Sequence, residues 1–445
     1  MTPRPGRVRL RAYQVGFGDC LLLSVGYDSN LPDGRSERHV LIDCGTVERA
    51  ANGPGLADIA EHIEEHCSGQ LDVVVATHRH KDHIGGFGER RTREILDRLN
   101  PRVVIRPWTD VPEAERDDET LGFDAEHRRF LDVLDSLGPQ AEALRLLAFD
   151  SDEVAARAAV LAEMGFTNVD AVALLEDWGS NGRAEYVKAG DNLDLSEVLP
   201  EVSVQVLGPP TLDQVPALTR YAKDSEEYWL ALAQEGKLTR PLKAGTPASL
   251  GRARRVLASP GGLGSAEWLL RTLDSRRLSQ GLEIVEALDD VLNNTSVILL
   301  VTVGSRRLLL PGDAQVENWS HTLDLSLGSN GRQLDTGLAA TLAKVDLYKV
   351  GHHGSRNATP RRLTHHWARR NRATDPVVSV LTTKLGVFEK SHEGKVPKDE
   401  LVAALRTFGP VHSTADLDPG VWWMDLEAPA TGSAQFSYTP GPVAG

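Results

Sequence analysis

Val8, Leu10 and Ala12 alternate with Arg7, Arg9 and Arg11, which is the period of a strand with one buried face. Leu21-Leu22-Leu23 follows as an apolar run, so residues 7 to 26 read as two strands. Between them Gln14-Val15-Gly16-Phe17-Gly18-Asp19-Cys20 is a glycine-bent connection. His39-Val40-Leu41-Ile42 is a third strand that stops at Asp43-Cys44-Gly45, and a helix follows from about Gly55 to Cys67. The apolar run Leu71-Asp72-Val73-Val74-Val75-Ala76 then leads straight into Thr77-His78-Arg79-His80-Lys81-Asp82-His83-Ile84-Gly85-Gly86. Residues 110 to 180 read as mostly helical, and strand character returns at Val202-Ser203-Val204-Gln205-Val206-Leu207, closed by Gly208-Pro209-Pro210.

A second helical stretch covers roughly 212 to 290. Its Leu269-Leu270 and Leu288 recur at helical spacing and read as core, while Tyr228-Trp229 either packs there or lines a substrate cleft, with packing the preferred reading. A hairpin runs from Asn293 to Leu310 through a turn at Gly304-Ser305, and ends at Pro311-Gly312-Asp313. Val345 to Val350 forms a strand ending at Gly351-His352-His353-Gly354-Ser355. Val377 to Leu381 forms another, ending at Thr382-Thr383-Lys384. A helix near 398 to 407 and a hairpin around Val421-Trp422-Trp423 close the chain. Strand, polar strand end and helix alternate, which is an α/β layout with its chemistry at strand ends.

Composition narrows the class. The 445 residues are 41% hydrophobic and 25% charged, an ordinary globular balance with mass for a large core. A prior of ~150 residues per domain suggests three domains, but one α/β domain over 1–445 with helical insertions at about 110–190 and 212–290 fits the pattern equally. No apolar stretch approaches the ~18 residues of a membrane span, and the basic N-terminus lacks a signal-peptide core. Cys20, Cys44 and Cys67 are odd in number and form no C-x-x-C, so a disulfide framework is not expected and the cytoplasm is the expected compartment. The net charge of −14 argues against a surface built to grip long duplex DNA. Arg361, Arg362, Arg369, Arg370 and Arg372 form either a local basic groove or a solvated helix face.

The densest chemistry is the stretch from His78 to His83. Four groups able to bind a metal lie within six positions after a strand, and a Gly-Gly pair lets the backbone turn beside them. Asp43, Asp313 and His352-His353 stand at other strand ends, and with the first cluster they make a set.

On these residues the chain resembles the metallo-β-lactamase superfamily. Asp43 matches its first motif, and His78, His80, Asp82 and His83 match its second, H-x-H-x-D-H. Asp313 matches the fourth, and His352 or His353 the fifth. Gln14 to Asp19, Asn294 to Val297, Leu310 to Asp313 and Val350 to Ser355 look more narrowly like the soluble domain of ComEC-type DNA-uptake proteins, as does Ser379 to Pro397 with His392. The membrane channel of those proteins has no counterpart. The third motif's histidine is also missing. The one His between motifs two and four is His127, in an insertion, and the matching place holds Gly208.

The resemblance implies a four-layer αββα sandwich with helical insertions, two divalent ions (zinc first, manganese as the alternative) and hydrolysis by an activated water. It implies that His78 and His80 hold one ion, that Asp82, His83 and His352 hold the other, and that Asp313 bridges them. Asp43 would orient a ligand or its loop. His353 would face the substrate, with the order of the two histidines interchangeable. Lys384 and His392 are candidates to assist the leaving oxygen, and Ser355 and Thr382 to bind phosphate oxygens. The expected activity is that of a phosphodiesterase or nuclease acting on nucleic acid or nucleotide. The alternatives are a hydrolase of a small nucleotide or phosphocholine-type ester, and a partner-regulated effector whose insertions dock a protein.

Overall fold

The structure, a computed structural model, describes residues 3–51, 53–132, 134–135, 168–215, 291–327, 335–355, 359–387 and 396–443. The chain divides into two compact units. One comprises Met1–Asp110, Asn168–Val215 and Asn293–Gly445; the other Val111–Thr167 and Pro216–Leu292.

Two mixed sheets build the first unit. Strands β1 (Pro5–Tyr13), β2 (Cys20–Tyr27), β3 (Glu37–Cys44), β4 (Val73–Val75), β5 (Val103–Pro107) and β6 (Arg183–Val187) join β14 (Trp423–Pro429) and β15 (Ser437–Pro440) in the order β15-β14-β1-β2-β3-β4-β5-β6. Strands β7 (Asn192–Leu193), β8 (Val202–Gly208), β9 (Ile298–Val303), β10 (Arg306–Leu310), β11 (Leu347–Lys349), β12 (Val378–Leu381) and β13 (Val411–Ser413) form the second sheet, in the order β13-β12-β11-β10-β9-β8-β7. Strands β3 to β6 run parallel, as do β10 to β13.

The alternation in the sequence decides which side chains go where. Val8, Leu10, Leu23, Val40, Ile42, Val204, Leu299, Leu308 and Leu347 share one core between the sheets. The opposite face of the first sheet, with Leu22, Leu41 and Val74, packs beneath α1 (Leu56–His66), α3 (Arg90–Asp97) and α4 (Val169–Asn181). The opposite face of the second, with Leu300, Leu309 and Tyr348, packs beneath α5 (Val316–Leu327), α6 (Thr336–Leu342), α7 (Arg361–His365) and α8 (Asp399–Leu405). The expected four-layer αββα sandwich is the one observed. Strand β4 is buried on both faces, which explains its unbroken valines. Helix α1 buries Ile59 and Ile63, four apart, and Asp58 accepts the Gly55 N–H at 2.8 Å at its start. Burying such a side chain contributes roughly 1.5–3 kcal/mol.

The pattern misreads part of the 110–180 stretch. It begins with short 3-10 turns at Trp108–Asp110, Glu113–Glu115 and Glu119–Leu121, has helix at 125–132, and ends in α4. Residues 216–290, with Tyr228-Trp229, Leu269-Leu270 and Leu288, lie outside the described residues. Strand β14 is more than half a terminal hairpin, because it also pairs with β1 from Arg7↔Pro429 to Tyr13↔Trp423. No helix among the described residues is long and apolar enough to cross a membrane.

Candidate metal centre

Parallel neighbours deliver their C-terminal ends to the same edge of a sheet, and open α/β sheets carry function there. Strand β3 ends in Asp43, and β4 runs into Thr77 and His78. Helix α2 (Lys81–Gly88) opens with His80 as its N-cap and puts Asp82 and His83 in its first turn. In the second sheet β10 leads to Asp313, β11 to His352-His353, and β12 to Thr382.

These ends converge. Asp313 Oδ2 lies 3.1 Å from His83 Nε2 and 3.4 Å from His353 Nε2, and His353 Nε2 lies 3.2 Å from Asp82 Oδ2. One donor atom from each of Asp82, His83, Asp313 and His353 falls within 4.8 Å of the others, and all four residues are buried. His78 Nε2 faces His80 Nδ1 at 3.0 Å, and the His78 and His83 rings are 4.2 Å apart.

The donor set fits a divalent cation. Asp82 Oδ1 is buried without a hydrogen-bond partner, a costly state that an ion would relieve. Two carboxylates and imidazole nitrogens are the ligands of zinc and of harder divalent ions. Charge points the same way. Burial opposes ionisation of Asp82, yet His83 and His353 hold it at about 2. Burial likewise opposes a charged His83, but Asp313, Asp43 and Asp82 raise it well above its ordinary value. His353 is raised too, against burial, by Asp313, Asp82 and Asp19. Protons on these imidazoles stand where cationic charge is wanted. His78 is the contrast: burial, then His83, His80 and His352, push it well below its ordinary value.

Of the two late histidines, which the sequence left interchangeable, the structure brings His353 into the group. His353 joins Asp82, His83 and Asp313, while His352 Nδ1 meets Ser355 Oγ at 2.9 Å. The reason is Thr382, whose carbonyl accepts from His353 Nδ1 at 2.9 Å and turns Nε2 toward the carboxylates. His352 is instead tied to Asp313 through its backbone N–H, 3.1 Å from Oδ1. The Thr382 hydroxyl donates to Asp19, so Thr382 joins Asp19 to His353. Ser355 is spent on His352. Lys384 donates to the Arg49 carbonyl at 2.8 Å and to Glu48 Oε1 at 2.5 Å, so it is held by loop 48–49. His392 lies outside the described residues.

Asp43 acts as an orienting residue in its geometry. Its oxygens accept from Thr77 N at 2.8 Å and Thr77 Oγ1 at 2.7 Å, and it meets His83 Nδ1 at 2.7 Å. The Gly-Gly pair serves packing. A Cβ on Gly86 would stand 2.5 Å from the Cys44 carbonyl, so the glycine lets α2 rest on the end of β3. At Gly208 a Cβ would stand 2.1 Å from Asn318 Oδ1, so this place is packed for glycine. His127 belongs to the other unit, where it is bonded to Asp124 at 2.9 Å. Arg362 pairs with Asp324 and Arg370 with Asp375, while Arg361, Arg369 and Arg372 are exposed, which is the solvated-face reading of that cluster.

Two residues of the centre were missed. Lys349 is 1% exposed, ion-paired with Asp19 and 3.5 Å from Asp313 Oδ1. Burial opposes its charge, but Asp19 and Asp313 raise it above the ordinary lysine value. Asp19 thus links Lys349 to Thr382, and Thr382 to His353. The available signal was a lysine breaking the apolar strand just before Gly351-His352-His353, and an acidic residue after Gly18.

No family model matches the chain, and no curated protein does. Among solved structures it is similar to Igni18, a novel metallo hydrolase from the hyperthermophilic archaeon Ignicoccus hospitalis KIN4/I. The identity is 9% over 94% of this chain and 98% of that one, with a TM-score of 0.36. A likeness that low carries no inference about activity. The site itself defines a buried His/Asp group able to hold a metal ion.

Proposed function

We propose that this chain is a metal-dependent hydrolase of phosphodiesters, with a nucleic acid or a nucleotide as substrate. The observation that carries the reading is the buried group of Asp82, His83, Asp313 and His353, with the His78–His80 pair beside it. Asp82, His83 and His353 would hold one divalent ion and His78 and His80 the other, with Asp313 shared between them. Bound there, such ions supply Lewis acidity toward a phosphoryl oxygen and a water of lowered pKa. Zinc suits the imidazoles and manganese the carboxylates.

The chain's own residues do the positioning. Asp43 fixes His83 through Nδ1, and the Thr382 carbonyl fixes His353 the same way, so each presents Nε2. His352, held by Ser355 and 8% exposed, is left to meet substrate oxygens. Three free, buried cysteines suit a reducing compartment, and we place the protein in the cytoplasm.

The test is hydrolysis of bis-(p-nitrophenyl) phosphate, single-stranded DNA and RNA with zinc and with manganese. Activity on at least one, abolished in the His80→Ala, Asp82→Ala double variant, is the expected outcome. No turnover of any substrate with either metal rejects the proposal. The net charge of −14 favours a second reading, a small nucleotide or phosphocholine-type ester. Polynucleotide binding weakens steeply with salt, whereas the KM for a small ester would stay nearly flat from low to moderate salt.

A further inference from the structure

Arg79 stands between His78 and His80, and it is gripped from two directions. Its Nε donates to Asp110 Oδ1 at 2.7 Å, and Nη2 reaches the Thr109 carbonyl at 3.5 Å. Its own carbonyl accepts from Asn168 Nδ2 at 2.7 Å. The second oxygen of Asp110 takes Arg106 Nε at 3.1 Å, and Arg106 is buried on β5. One clamp therefore holds the side chain of Arg79 against a rigid strand, and the other holds its main chain. The peptide that sets the spacing of the two imidazoles is fixed between them.

Asn168 departs from what its place predicts. It is the N-cap of α4, where an asparagine oxygen ordinarily accepts a helix N–H. Here the side chain makes no cap bond, and its amide goes to Arg79. A local rule set aside in this way marks a position with another task. Asp110 and Asn168 are also the sandwich unit's last and first residues on either side of Val111–Thr167. The chain leaves the unit at one clamp and re-enters at the other.

We propose that Asp110 and Asn168 are positioning residues for the ion held by His78 and His80. By gripping Arg79 they keep the two imidazoles at the spacing and tilt one ion needs. The inference rests on the dinuclear reading above, and it is specific to one ion. Asp82, His83, Asp313 and His353 are fixed by Asp43, Thr382 and Lys349 instead, so their ion does not depend on the clamp.

The experiment is metal content per chain, with chelator-competition titration, on the full-length protein and on Asp110→Asn, Asn168→Ala and Arg79→Lys. Wild type should hold two ions. Asp110→Asn and Asn168→Ala should keep one at wild-type affinity and weaken the other ~10–100-fold, the range seen when a ligand's supporting partner is removed. Arg79→Lys, which can still reach Asp110, should recover part of that loss. Asn168→Ala changes a half-buried residue at the start of α4 and removes its bond to the Arg79 carbonyl, so it reports even where Asp110→Asn folds poorly. If wild type holds two ions and both variants keep two with unchanged affinity, the clamp is wrong and the dinuclear reading stands. A wild type that holds fewer than two ions overturns the dinuclear reading and the clamp with it.

Discussion

His352 and His353 are adjacent, follow the same strand and share positive φ values of 43° and 51°. Sequence spacing cannot separate them, because one residue's difference decides which side of the loop each faces. A backbone carbonyl twenty-nine positions away, that of Thr382, settles it. Their roles should therefore part on mutation. His353→Ala should lose bound metal, while His352→Ala should keep its metal and lose turnover; elemental analysis beside steady-state kinetics distinguishes them, and equal metal loss in both would reject the assignment. The cluster of His78, His80, Asp82 and His83 stood out in the sequence because its spacing is rare. Lys349 did not, because a lysine in a strand reads as an edge residue unless its partners are known. Lys349→Met would leave Asp19 charged and buried without its cation. Breaking a buried pair from one side costs ~3–5 kcal/mol, a loss that chemical denaturation would register; an unchanged denaturation midpoint would show that the pair stabilises nothing.

Elements were readable where one face is apolar. Strand β1 alternates, β3 carries the contiguous apolar run Val40-Leu41-Ile42, and α1 repeats its apolar residues every three or four positions. Strand β6 went unseen because Arg183, Ala184 and Glu185 are all outward or half-exposed at a sheet edge, leaving no pattern to detect. Between β3 and α1 lies a polar seam with its own consequence. His39 is buried beside Glu37, His66, Arg9 and Arg35, with Ser24 Oγ 3.0 Å from its Nδ1. Burial pulls its pKa down to about 3, and that of His66 to about 4. The unfolded chain titrates these imidazoles near ~6.5. Below that pH the unfolded state binds protons that the fold refuses, so stability falls as pH drops from about 6.5 toward the folded values. Urea midpoints at pH 7, 5.5 and 4.5 should decline, and His39→Gln should flatten the decline; a variant with the wild-type slope would show that His39 is not the group responsible.

For the whole molecule, the α/β layout followed from strand ends and helix periods, whereas the four-layer sandwich was expected only from the resemblance carried by the motifs. The position of β14 followed from neither, since pairing the chain's end with its beginning is invisible to any local pattern. Of the insertions, the described residues hold short 3-10 turns, the helix at 125–132 and α4, and the rest lies outside the described residues. The site was legible as a set of residues and not as an arrangement. Convergence of ends from two sheets, and the clamps that tune it, belong to tertiary structure alone. The most direct measurement is metal content per chain by elemental analysis, in wild type and in the Asp82→Ala, His353→Ala double variant. The account predicts two divalent ions in wild type and the loss of at least one in the variant. Wild-type protein that binds no ion, or a variant that binds as many as wild type, would contradict it.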